Sequence, residues 1–165
     1  MDQFIVSLLV NNQFGVLTRV AALFARRGFN IDSLTVGVTE TPEFSRMTIL
    51  AKGDEYIKEQ IVKQLMKLED VKMVQLMRPD QTVQRELLIV KVRVERNKLS
   101  EITEAVNTYR ANVIDLSPDS LLIEITGEPQ KLNAFLEYIK DYGIIEMSRT
   151  GPTAMGRSSY CLGNT

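Results

Sequence analysis

Phe4 to Val20 reads FIVSLLVNNQFGVLTRV. Its first part, residues 4–10, is apolar on both faces, as a central strand is. Asn11-Asn12-Gln13-Phe14-Gly15 follows with turn chemistry. Leu17, Val20, Ala21 and Phe24 then recur at i, i+3, i+4 and i+7, which is one apolar stripe of a helix. Arg26 and Arg27 fall in the last turn, where cations suit the carbonyl end, and Gly28 is placed to stop the helix. A strand, a short polar turn and an amphipathic helix make the opening of a βαβ-type unit.

Working outward, Asn30 to Thr39 alternates, with Leu34, Val36 and Val38 on one side and Thr35, Gly37 and Thr39 on the other. Thr41-Pro42-Glu43 breaks that strand, and Met47, Ile49 and Ala51 begin the next. Asp54 is placed to cap a second helix whose stripe is Ile57, Ile61, Leu65 and Leu68. Val71 to Leu76 closes the unit as βαββαβ. After the polar break Arg78-Pro79-Asp80-Gln81-Thr82 the same order recurs. Leu87 to Val94 alternates, and Leu99, Ile102 and Val106 mark a helix. Short strands follow near 112–116 and 121–126. Pro129 opens a last helix with Leu132, Phe135, Leu136 and Ile139, and Ile144 to Ser148 closes the pattern.

The expected fold class is therefore α+β: two tandem ferredoxin-like βαββαβ sandwiches, each with its helices on one face of an antiparallel sheet. The expected domains are residues 1–77 and 85–150, joined by a linker at 78–84. A tail, 151–165, has no periodicity and is expected to be mobile. The strand Leu34–Val38 would lie at a sheet edge, and it carries no charge until Glu40. An uncharged edge is a template for pairing, so a homodimer is expected.

Composition narrows the function. The chain has 165 residues, with 20 Lys and Arg against 21 Asp and Glu, which argues against a nucleic-acid binder. The strands expected to be central offer aliphatic residues such as Ile5, Leu9, Ile49 and Val90, where an RNA-binding sheet needs aromatics. There is no histidine, which removes the commonest general base and metal ligand. Ser7, Ser33 and Ser45 therefore lack an activating base. The single cysteine, Cys161, cannot form an internal disulfide, and neither a signal peptide nor a membrane span is legible. A cytoplasmic chain with no catalytic centre, no metal site and no cofactor of its own is expected. Asp54, Glu55, Glu59, Glu69 and Asp70 alternate with Lys58, Lys63 and Lys67 as a solvated helix face.

The turn at Asn12 and Gly15 is the most informative candidate site. The first amides of a helix lack internal partners and lie at the positive end of its dipole, so a carboxylate can dock there if the backbone is approachable. Asn12 can offer an amide oxygen to an ammonium group. An Asn- and Gly-containing turn with no ligand fits the same residues. Asn30 likewise reads either as a second polar contact or as a helix-exit residue.

The first 77 residues resemble ACT domains, small-molecule sensors with this element order. The strings FIVSLLVNNQFGVLTRV, RGFNIDSL (27–34) and TVGVTETPEFSRMTI (35–49) are similar to those of the regulatory small subunit of acetohydroxyacid synthase (acetolactate synthase). QRELLIVKV (84–92) and Arg149-Thr150-Gly151 extend the resemblance over almost the whole chain. It implies a dimeric, non-catalytic chain that activates a catalytic large subunit. It also implies feedback inhibition by a branched-chain amino acid, most often valine. Thiamine diphosphate, magnesium and FAD would be carried by that large subunit alone. Carried over by position, the effector contacts are Asn12, Gly15, Val16 and Leu17, with Asn30 and Ile31 supplied by the partner chain. The family turn commonly reads Glu-Asn-x-Pro-Gly, whereas Asn11 and Phe14 stand here in place of the acid and the proline. The alternative reading is an autonomous ACT-type amino-acid-binding module serving another enzyme or a transcriptional complex.

Overall fold

The computed structural model describes residues 2–162. It divides into two units, one running up to Val83 and resuming from Pro152, the other Gln84–Gly151.

In the first unit β1 (Asp2–Asn11), α1 (Val16–Arg26), β2 (Ile31–Val38), β3 (Phe44–Gly53), α2 (Glu55–Leu65) and β4 (Val71–Leu76) follow in order. The sheet order is β2-β3-β1-β4, and every neighbouring pair is antiparallel. This is the ferredoxin-like arrangement, with β2 at an edge. Alternation along β1 sends Phe4, Val6, Leu8 and Val10 into the core with Met47, Ile49 and Ala51 of β3. Val20 and Phe24 of α1 and Ile61 and Leu65 of α2 cover the same face. The α1 stripe is rotated from the sequence expectation. Val16, Val20 and Phe24 are buried, whereas Leu17 is 46% exposed. Position i+4 from Val16 is Val20, so the helix takes its inward face from the residue straight after Gly15. Asp54 caps α2, its carboxylate accepting from the Ile57 amide at 2.9 Å.

The second unit repeats the order with β5 (Thr82–Arg93), α3 (Leu99–Thr108), β6 (Asn112–Leu116), β7 (Ser120–Gly127), α4 (Pro129–Ile139) and β8 (Ile144–Arg149). Its sheet order is β6-β7-β5-β8. Leu88, Val90 and Val92, Leu121, Ile123 and Ile125, and Ile102, Leu132, Phe135 and Ile139 form its core. Glu86 of β5 is buried, and Arg149 of β8 donates to it through Nε at 2.9 Å. Strand β5 begins at Thr82, so the polar break is a single 3-10 turn, Pro79–Gln81, ahead of it.

The tail departs from the mobile segment expected from 151 onward. Residues 153–156 form a strand, β9, and Pro152 and Ala154 are buried. Ala154 packs with Ile5 and Met77 on the sheet face away from the helices, with Leu50 and Tyr160 against them. A four-residue strand with one buried alanine is too short to show a period. The last three residues of the tail lie outside the described ones. No described helix is long and apolar enough to cross a membrane.

Candidate functional site

The β1–α1 turn is built around Gly15, which precedes the helix with φ 84°. That left-handed conformation suits glycine, and no side chain caps the helix behind it. The Val16 amide donates to the Gln13 carbonyl at 3.4 Å, which leaves the next first-turn amides at the positive end of α1. A Cβ at Gly15 would stand 3.0 Å from Nη1 of Arg19, so a guanidinium lies beside the same opening. Arg19 is held there by Asp70, at 2.6 Å. Arg19 was not singled out in the sequence, and Asp70, expected on a solvated helix face, lies beyond the end of α2 and is engaged in this pair. The available signal was Arg19 at i+4 from Gly15, on the face of the helix that carries the turn.

Asn12 is exposed, and its amide is already engaged. Nδ2 donates to the Pro42 carbonyl at 2.9 Å, and Oδ1 accepts from the Ser45 hydroxyl at 3.2 Å. One lone pair of Oδ1 remains for another donor. Val16 is buried under the turn, while Leu17 and Phe14 project outward, Phe14 at 103% exposure. Phe14 therefore caps nothing within its own chain.

Asn30 and Ile31 lie elsewhere. Ile31 pairs with Ala51, which in turn pairs with Phe4 at the start of β1. The Asn12 turn follows the other end of β1, where Asn11 pairs with Phe44. At ~3.3 Å per residue those two ends are on the order of 20 Å apart. One copy of the chain thus cannot bring all six candidate residues to one ligand. Asn30 donates to Asp32 at 2.9 Å, and Lys52 reaches Asp32 at 3.1 Å. Bonds from Lys52, Gln3 and Asn30 hold the Asp32 carboxyl below its ordinary value against a smaller opposing effect of burial.

The edge between the two sets is open. Val36 and Val38 are 45% and 61% exposed on the helix side of β2, in register with Met47 and Ser45. Among the described residues no group of three or more Asp, Glu, Cys or His side chains can hold a metal ion.

A family model for the acetohydroxyacid synthase small-subunit-like ACT domain matches residues 6–73, and one for the small subunit of acetolactate synthase matches residues 85–158. A probable acetolactate synthase small subunit of Methanothermobacter thermautotrophicus is 52% identical over 159 residues, which is 96% of this chain and 95% of that one. The chain belongs to the acetolactate synthase small-subunit family. The small subunit of Mycobacterium bovis is 46% identical over 96% of this chain and 94% of its own. The crystal structure of the acetolactate synthase small subunit from Thermotoga maritima matches 97% of this chain and 100% of its own at 43% identity, with a TM-score of 0.89. As a small subunit the chain is regulatory, not catalytic, and its partner is a catalytic large subunit. The chain presents its first-turn opening and the β2 edge as its candidate site.

Proposed function

We propose that this small subunit activates the catalytic subunit and confers feedback inhibition by a branched-chain amino acid, valine foremost, bound between the ACT units of two copies. The observation that carries the reading is the separation of the two candidate sets along β1. Antiparallel pairing of two β2 edges sets the beginning of one β2 beside the end of the other, so each Gly15 turn meets the partner's Asn30 and Ile31. Such a dimer has two equivalent sites.

In each, the effector's carboxylate docks on the first-turn amides of α1, with the Arg19 guanidinium close by. Its ammonium group takes the remaining lone pair of Asn12 Oδ1, and its side chain packs on Val16 and Leu17 and the partner's Ile31. Burying a valine-sized side chain contributes roughly 1.5–3 kcal/mol. Each hydrogen bond to a charged group adds about 1.5–3 kcal/mol. Association and ordering remove several. The balance falls roughly between micromolar and millimolar affinity, the range of metabolite feedback. Valine and isoleucine differ by one methylene, about 1–3 kcal/mol, so discrimination between them is modest.

The effector acts by favouring one arrangement of the paired ACT units, to the extent of its differential affinity for it. Thiamine diphosphate, magnesium and FAD belong to the catalytic partner in this reading, and both chains work in the cytoplasm. Calorimetric titration of the full chain with valine, leucine and isoleucine tests it. One site per chain is the expected stoichiometry, and absence of binding by all three would remove the proposed effector class.

A further inference from the structure

The helix-free face of the first sheet carries a polar row. Thr35 pairs with Thr48, Thr48 with Ser7, and Ser7 with Gln75, so these four side chains cross the sheet from β2 to β4. Ser7, Thr48 and Gln75 are buried. The Ser7 and Ser33 hydroxyls, both ends of the Gln75 amide and Arg46 Nε have no hydrogen-bond partner among the described residues.

The chain from Pro152 onward crosses this row. Thr35 Oγ1 donates to the Pro152 carbonyl at 3.4 Å on β2, and Arg46 donates to the Ala154 carbonyl at 3.0 Å on β3. Ala154 then contacts Ile5 and Met77, and the Tyr160 hydroxyl reaches the Leu76 carbonyl at 3.2 Å on β4. The Arg157 amide donates to the Gln81 carbonyl at 2.7 Å. The attachment is thus the pairing of the short β9 with β5, a few further hydrogen bonds and the buried Pro152 and Ala154, closed over polar groups that have given up water without replacing it. Just before the crossing, Thr150 is tied to Leu87, and Gly151 follows with φ 75°. The crossing itself is locked by a tight turn. A Cβ on Gly156 would stand 1.8 Å from the Tyr160 carbonyl oxygen.

We propose that residues 152–162 are a releasable strap, which detaches and loses its Gly156–Tyr160 turn together, hinged at Gly151, while the sheet beneath stays folded. Opening hydrates the row and frees Arg46, a half-buried guanidinium that now satisfies a backbone carbonyl of the strap. Local units of this kind open below the free energy of global unfolding and show it in hydrogen exchange.

Hydrogen exchange read by mass spectrometry on the full chain tests the strap, with Gly156→Ala and Ser7→Ala as variants. Peptides within 152–162 should exchange together at least about tenfold faster than those of β1 and β3. Gly156→Ala should speed the strap about tenfold further with β1 and β3 unmoved, because only the closed turn excludes the methyl group. Ser7→Ala should slow it, because one unsatisfied group is removed from the closed form. Strap exchange as slow as that of β1 and β3 overturns the proposal. So does a Gly156→Ala variant in which β1 and β3 speed up in step with the strap, or in which the strap does not respond.

Discussion

The Ser45 hydroxyl donates to Asn12 Oδ1 across 3.2 Å, tying the turn before α1 to the first residues of β3. The same Asn12 donates to Pro42, so the β2–β3 loop and the β1–α1 turn are one assembly. Asn12 thereby has a structural role alongside any ligand role. A double-mutant cycle of Asn12→Ala and Ser45→Ala, read by denaturant unfolding, should give a coupling of about 0.5–1.5 kcal/mol. Additive effects would mean that the bond contributes nothing.

The charge at position 15 can be isolated from its backbone strain. Asp and Asn both tolerate a left-handed residue and have the same shape, so Gly15→Asn controls for Gly15→Asp. Gly15→Asp sets a carboxylate at the proposed position of the effector's carboxylate, and its effector affinity should fall more than about tenfold below that of Gly15→Asn, a gap of roughly 1.4 kcal/mol or more. Equal affinities in calorimetry would move the carboxylate away from this turn.

Dimerisation through β2 has its own test. Val36 is exposed on the uncharged stretch Leu34–Val38 of β2, and a two-fold pairing places the strand against its own copy. Val36→Lys adds like charges across that pairing, the device by which edge strands are kept apart. Light scattering should show the dimer weakened by about tenfold or more. An unchanged dimer would place the interface elsewhere.

Much of this was legible beforehand, and the reasons differ by element. The strands around Val6, Ile49, Val90 and Ile123 announced themselves because alternation or continuous apolarity reports burial directly. Asp54 was legible because capping is local chemistry. Leu17 was misplaced onto the buried stripe because the phase of a helix depends on where it starts, and Gly15 sets that start one residue earlier. Strand β9 was missed because Ala154 and Pro152 are buried by what lies opposite them, which no local pattern encodes. Arg19 escaped notice for a similar reason, since its partner Asp70 lies 51 residues away.

Arg149 and Glu86 show what such a distant pair is worth. Glu86 has a side chain only 4% exposed, and Arg149 supplies its cation from the neighbouring strand of the second sheet. Arg149→Met leaves that carboxylate buried and alone, so unfolding should be easier by about 3–5 kcal/mol. Adding Glu86→Leu should recover a large part of the loss, because the uncompensated charge goes with it. A single variant as stable as the wild type would show that water already solvates Glu86.

The central claim is regulatory, and enzyme turnover tests it most directly. Acetolactate formation by the catalytic subunit should be measured with and without this small subunit, across a valine titration. The account predicts stimulation by the small subunit and its reversal as valine rises through the micromolar-to-millimolar range. Stimulation that valine, leucine and isoleucine all leave untouched would contradict the proposed effector class, and no stimulation at all would contradict the regulatory role.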